Sequence, residues 1–367
     1  MKYQSIKQFV SYPLMVCIIL FTAAGCLDPI ELEIPEGQGN AIVINAKIVE
    51  GNPSTFELNL SQIFSFTQDT RGRIIAKQVI IYDEAGNELE VKPTGDGIYE
   101  YIFSENDPIS IEVGKSYKLS LEMFDGRLFE SNFEPLLPVP EIENIHYEIY
   151  DKTFVLPDQS ERTRTTISYS IDTPLEIPGQ EERSNLKWEF QRVYKVTDSP
   201  IVFGQQQKVC YVSGNAGVFD INIYGGGTTT RTQLDNYFVY EEFLDRTYGE
   251  GLYFTVVQES LSKGAFEYWQ KISNVLERKD NIYADPPGRV QSNYTHVNGS
   301  QDAYGYFYVT TQDTSRIYVD PELSGVTETR CPSEGLVNMD GSCGDPLCCD
   351  CASVDNSTTL KPAFWIQ

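Results

Sequence analysis

Ile42, Ile44, Ala46 and Ile48 fall on alternate positions, as do Tyr117, Leu119, Leu121 and Met123. A period of two is the pattern of a strand with one buried face. From Asn40 to about Pro135 such runs are broken only by short turn signals. Asp125-Gly126 separates the second run from Arg127–Phe133, and both turn residues tolerate positive φ, which predicts a hairpin. Gln78–Asp83 and Glu88–Lys92 flank Glu84-Ala85-Gly86-Asn87 as a second hairpin, and Ile98–Phe103 follows Gly95-Asp96-Gly97. Six or seven short strands, with turn signals roughly every 8 to 12 residues, predict an immunoglobulin-like or fibronectin-like sandwich over residues 40–135.

Pro135, Pro138 and Pro140 then punctuate the chain and place a linker at 136–141. Residues 142–330 read as a second β-rich domain. Its expected strands are Ile145–Tyr150, Thr165–Ile171, Asn185–Val196, Gln207–Val212, Gly251–Gln258, Tyr304–Thr310 and Arg316–Val319. One helix is predicted, at 262–279: Phe266, Trp269, Ile272 and Leu276 recur at helical spacing, Ser262 can cap the start, and Glu267 sits four residues before Lys271. That stripe is expected to pack on a sheet rather than to make Trp269 a binding residue. The fold class is therefore mainly β: a sandwich, a second β-rich domain with one amphipathic helix, and a cysteine-rich tail over 331–367.

The start of the chain carries a different signal. Lys2 and Lys7 precede a largely apolar run, Val10 to Ala24, broken by Ser11, Tyr12, Pro13 and Thr22. The run is too short for a membrane span of about 20 apolar residues and fits a secretory signal peptide over residues 1–25. Ala24-Gly25 directly before Cys26 resembles a bacterial lipobox, although Ala23 stands where Leu is usual. Cys26 is thus the expected lipidation site, against the simpler alternative of an ordinary signal peptide with an incidental cysteine. Two or three acyl chains there, at about 0.8 kcal/mol per buried methylene, would hold the protein permanently on a membrane. Asp28, Glu31, Glu33 and Glu36, with Pro29 and Pro35, make residues 26–39 an extended acidic tether. Acids just after the cysteine also resemble the signals that send such lipoproteins to the outer face of the outer membrane, so the cell-surface face is favoured over the periplasmic one.

Charge excludes one class of partner. Removing residues 1–25, which hold two lysines and no acid, leaves 26 basic against 53 acidic residues. A net charge of −27 repels nucleic acid and anionic headgroups.

No catalytic constellation emerges. The two histidines, His146 and His296, have no neighbouring histidine or cysteine, and the chain has neither a Gly-x-Ser-x-Gly elbow nor a His-Glu-x-x-His zinc motif. Each histidine reads as a satisfied strand or surface residue. Gly225-Gly226-Gly227 with Thr228-Thr229-Thr230 lacks the lysine of a phosphate loop and reads as a flexible loop. With 53 acids, a glycosidase-like carboxylate pair is uninformative by abundance. The 23 tyrosines suit strands as well as they suit a sugar platform. No cofactor and no metal site is expected.

Six cysteines remain after Cys26: Cys210, Cys331, Cys343, Cys348, Cys349 and Cys351. Outside the cytoplasm disulfides are the default. The five tail cysteines cannot all pair among themselves, so either one reaches Cys210 or a thiol stays free or joins another molecule. Adjacent Cys348 and Cys349 should take different partners. A four-sulfur zinc site is the rival, but the two Cys-x-x-Cys hooks it needs are missing.

Cys348-Cys349-Asp350-Cys351 with Lys361-Pro362-Ala363-Phe364-Trp365 resembles the ending of the Bacteroidota lipoproteins catalogued as domain of unknown function 4249. The resemblance extends to Tyr268-Trp269, Asp285-Pro286-Pro287, Asn293 with Val297, and Ala303-Tyr304-Gly305-Tyr306-Phe307, where Tyr304 replaces a commoner Leu. It implies an outer-membrane lipoprotein associated with TonB-dependent receptors, and it implies no catalytic residues. The expectation is a non-enzymatic accessory or ligand-capturing partner of such a transporter. The alternatives are a surface glycan- or peptide-binding protein acting alone, or a surface hydrolase using unidentified carboxylates.

Overall fold

The computed structural model describes residues 41–62, 73–156, 158–200, 206–218, 220–277, 290–332, 338 and 342–366. The signal segment, Cys26, the acidic tether and Asp285–Pro287 lie outside the described residues.

The strands run in chain order as β1 (Ile42–Glu50), β2 (Thr55–Gln62), β3 (Gln78–Asp83), β4 (Glu88–Glu90), β5 (Ile98–Ile102), β6 (Ser116–Glu122), β7 (Leu128–Ser131) and β8 (Glu134–Pro135). Then come β9 (Asn144–Val155), β10 (Glu161–Pro174), β11 (Asn185–Thr197), β12 (Val209–Ala216), β13 (Asn222–Tyr224), β14 (Gln233–Phe243) and β15 (Leu252–Leu261). Helix α1 (Lys263–Glu277) separates these from β16 (Tyr294–His296), β17 (Ala303–Tyr304), β18 (Phe307–Val319) and β19 (Ser357–Thr358). The chain is mainly β, as its alternation predicts. Asp125-Gly126 turns β6 into β7, with Gly126 at φ +87°.

One ten-stranded sheet runs β19-β12-β11-β15-β18-β1-β2-β5, with β13 beside β11 and β17 beside β1. A six-stranded sheet (β16-β7-β6-β3-β4, plus β8) and a three-stranded sheet (β14-β10-β9) complete the fold. Strand β18 is the seam. Its first half, Phe307–Thr311, pairs in parallel with β1, and its second half, Gln312–Val319, pairs antiparallel with β15.

This corrects the division into 40–135 and 142–330. Tyr294, Ala303, Phe307 and Val309 belong to the first hydrophobic core, beside Ile42, Leu58 and Leu119. The second core gathers Ile167, Tyr169, Trp188, Phe190, Phe254 and Val319. Nor is 136–141 a free linker. Leu136 is buried, the Leu137 carbonyl accepts from Ser260 and Thr311, and the Pro140 carbonyl accepts from Gln258. Proline spacing reports where the chain bends and is silent on what packs against the bend.

Further differences are local. Tyr304–Thr310 and Arg316–Val319 form one long strand, β18, preceded by the short β17. Between them Gly305 sits at φ +91°, and a Cβ there would lie 2.2 Å from the Ile44 carbonyl, so only glycine lets both pieces pair with β1. Strands β13 and β14 are additions to the expected set. The triple glycine is a packed turn rather than a loose loop, because a Cβ on Gly225 would lie 2.6 Å from the Phe266 ring and one on Gly226 2.3 Å from the Ser184 carbonyl.

Where β8, α1 and β18 meet, the buried Glu134 accepts from Ser262 Oγ at 2.6 Å, Tyr306 OH at 2.6 Å and Asn293 Nδ2 at 3.2 Å. Ser262 in turn caps α1 by accepting from the Ala265 N–H. Burial pushes the Glu134 carboxyl up and outweighs these three donors. An acid raised in the folded state contributes most stability below its unfolded pKa and loses that contribution as pH rises through the folded value. Glu134→Gln, which keeps the shape and cannot ionise, should therefore gain stability relative to wild type as pH climbs from about 4.5. Urea unfolding of both proteins across that window checks this, and parallel pH profiles would refute it.

Candidate functional site

Both cores lie on one face of the ten-stranded sheet, since Ile44 and Ile48 on β1, Leu186, Trp188 and Phe190 on β11, and Phe254 and Val256 on β15 all contribute to them. The intervening residues of the same strands, Lys47, Lys187, Glu189 and Glu259, therefore point to the opposite face. Helix α1 lies across that face. Ala265 and Phe266 pack with Leu261, Tyr306 and Tyr308, with Tyr268 and Trp269 at the margin.

Beneath the helix lies a charged cluster. Glu259 is fully buried and all four of its lone-pair positions are filled. Oε1 accepts from Lys47 Nζ at 3.3 Å and Gln312 Nε2 at 2.8 Å, and Oε2 from Lys187 Nζ at 2.9 Å and Tyr308 OH at 3.2 Å. Burial alone would push this carboxyl up, but the charges of Lys187 and Lys47 outweigh it and hold the group down, at about 2. Lys187 also donates to Glu189, and its Nζ lies 5.2 Å from the centroid of the Trp269 ring, a cation–π approach.

Lys187 and Trp269 form the wall of a cavity of about 270 Å³ between β11, the end of β12 and the segment leading into β13. A second cavity, of about 390 Å³, lies between β13, β14 and α1. Trp188, Ile221 and Asn222 line both, so the two adjoin across these residues as neighbouring lobes of a trough. The apolar stripe that predicted α1 is thus only part of its role, since Trp269 faces the trough as well as the sheet.

The cysteines close the far end of the same sheet. Cys210 pairs with Cys351, Cys331 with Cys348, and Cys343 with Cys349. The tail reaches Cys210, the adjacent cysteines take different partners, and all six sulfurs are committed to disulfides. Val196 and Val212 pack among these bridges. The buried Asp198 accepts from the Lys208 and Cys351 N–H groups, and β19 extends the sheet beyond β12. Trp365 then packs on Tyr211 and Tyr253, with ring centroids 4.9 and 5.1 Å away.

The histidines form no relay. His146 Nε2 lies 2.7 Å from Asp172 Oδ2, and Ser170 is the cross-strand neighbour of His146. The Ser170 hydroxyl, however, donates to Asn236 rather than to the imidazole, so no nucleophile is activated there. His296 stacks on Phe129 and accepts from the Gln301 N–H. Among the described residues no group of three or more His, Cys, Asp or Glu side chains is placed to hold a metal ion. No described helix is long and apolar enough to cross a membrane.

A family described as "Domain of unknown function (DUF4249)" matches residues 27–316. The match ends inside β18, so the cysteine-rich tail and Lys361–Trp365, which carry part of the resemblance, lie beyond it. No curated protein and no solved structure matches the chain.

Proposed function

The chain belongs to the DUF4249 family, and from that premise we propose that it is a non-enzymatic, lipid-anchored protein of the outer membrane that captures a ligand as the accessory partner of a TonB-dependent transporter. The observation that carries this reading is the commitment of all six downstream cysteines to three disulfides. Such bridges persist in an oxidising compartment, beyond the cytoplasmic membrane. They also leave Cys26, directly behind Ala24-Gly25, as the one cysteine after the signal segment outside these three pairs.

The geometry supports capture over catalysis. A trough on the outer face of a sheet, walled by a helix and floored by a neutralised ion cluster, offers a surface to occupy.

Replacing Cys26 by Ala should move the folded protein from the membrane fraction to the soluble fraction, and retention on the membrane would mean the anchor is misread. Purification from native membranes in gentle detergent should bring down a TonB-dependent receptor with the wild-type protein. Recovery of the protein always alone would sink the partner assignment.

A further inference from the structure

The capture reading leaves the ligand open, and the trough beside Trp269 narrows it; the choice of ligand rests on that reading. Three features of the trough point the same way. The charges on its floor are spent, because Lys187 is neutralised by Glu189 and Glu259. Among the described residues no uncommitted cation lines it for a phosphate or carboxylate, and Asp220 on the rim adds a further acid that repels anions.

The second feature is the supply of unused hydrogen-bonding groups. Gln191, Asn215 and Asn222 line the first lobe, and Asn222, Gln270 and Asn274 line the second. None of these five amides makes a side-chain hydrogen bond to another described residue. Each presents a donor and an acceptor side by side. A hydroxyl group is likewise donor and acceptor at once, so a run of amides matches a run of hydroxyls.

Third, the Trp269 Nε1–H is buried and has no partner among the described residues. That buried donor fixes the orientation of the ring and leaves the ring face, not the N–H, to line the first lobe. The ring itself gives an apolar wall of the kind that covers the C–H face of a sugar.

We propose that this trough binds a neutral, polyhydroxylated ligand, a short oligosaccharide, with one sugar unit held against Trp269 in the first lobe and the next reaching over Asn222 into the second. The two lobes are small singly, one just below and one just above the lower end of ordinary ligand pockets, and large enough only when taken together for more than one ring. A peptide is the weaker fit, because the uncommitted groups of the trough are side-chain amides rather than an open strand edge.

The test uses the soluble full-length Cys26→Ala protein, so that its outcome does not depend on a transporter. Calorimetry and tryptophan fluorescence are followed against neutral oligosaccharides (malto-, cello-, xylo- and mannohexaose) and against an unbiased peptide library. At least one oligosaccharide should bind. Asn222→Ala, which touches both lobes, should weaken it at least tenfold, Asn215→Ala should weaken it severalfold, and Phe154→Ala on the three-stranded sheet should leave it unchanged. Trp269→Phe should diminish the fluorescence response, leaving only what Trp188 reports. Circular dichroism confirms that each variant is folded. Binding of peptides alone, binding indifferent to Asn222→Ala and Asn215→Ala, or no binding at millimolar sugar would each overturn the proposal. Receptor co-purification is read separately and stands or falls by itself.

Discussion

Glu259→Ala should destabilise the protein by about 3 to 5 kcal/mol, the cost of removing one partner from a buried ion cluster. The carboxylate takes four hydrogen bonds, two of them from ammonium groups. Its loss strands Lys187, itself buried, with Glu189 as its only remaining anion among the described residues. Glu259→Gln should be nearly as harmful, since an amide has one acceptor atom where the carboxylate has two and brings an N–H toward Lys187 or Lys47. Replacing the three charges, with Lys47→Met, Lys187→Met and Glu259→Leu together, should recover part of the loss, because the apolar side chains have no charge to desolvate while the Tyr308 hydroxyl and Gln312 amide lose their acceptor. The pH dependence has a fixed sign. A carboxyl held down in the folded state contributes stability above its unfolded pKa, and that contribution is lost as pH falls from about 4.5 toward about 2. Urea unfolding at pH 7 and pH 3 measures both effects. An alanine variant within about 1 kcal/mol of wild type would show that the cluster is solvated rather than closed.

The same cluster explains what the sequence conceals. Alternation over Leu186, Trp188 and Phe190 identifies a strand and its core face, and by elimination it assigns Lys187 and Glu189 to solvent. Period two reports parity along one strand, however, and carries no information on what covers the other face. Helix α1 does that, from more than 70 residues further on. Strand β15 marks the point from the other side. All ten of its residues are buried, polar Gln258, Glu259 and Ser260 included, because sheets, helix and linker enclose both faces.

Strands whose neighbours are local, such as β6 with β7 and β3 with β4, are legible together with their turns. The seam at β18 is not, since parallel pairing with β1 joins residues some 260 positions apart and leaves no local trace. Strand β14 escapes because Leu-Asp-Asn-Tyr opens like a turn, and Asn236 does adopt positive φ within it. The trough is invisible for a related reason. Its amides come from β11, β12, β13 and α1, and single Asn and Gln residues have no distinctive spacing.

Cysteine counting goes further, because parity is a global constraint. Five cysteines in the tail and one at Cys210 require a long-range bridge if all are oxidised, and the structure makes it Cys210–Cys351, across 141 residues. A loop of that length carries the largest entropic effect of the three bridges, roughly 5 kcal/mol, against about 2 kcal/mol for Cys343–Cys349 with a separation of six. Cys210→Ser with Cys351→Ser should therefore lower the unfolding free energy by several kcal/mol, and Cys343→Ser with Cys349→Ser by much less. The loss should also be spatially directed. Without the long bridge, Asp198 loses its hold on the Cys351 N–H, β19 leaves the sheet edge, and Trp365 comes away from Tyr211 and Tyr253. Hydrogen exchange in the double variant should accelerate first over residues 342–366 and along β12, while β1, β2 and β6 keep their protection. Equal destabilisation by the two pairs, or uniform loss of protection, would show that the tail is held by its own packing, with the bridge to Cys210 adding little to it.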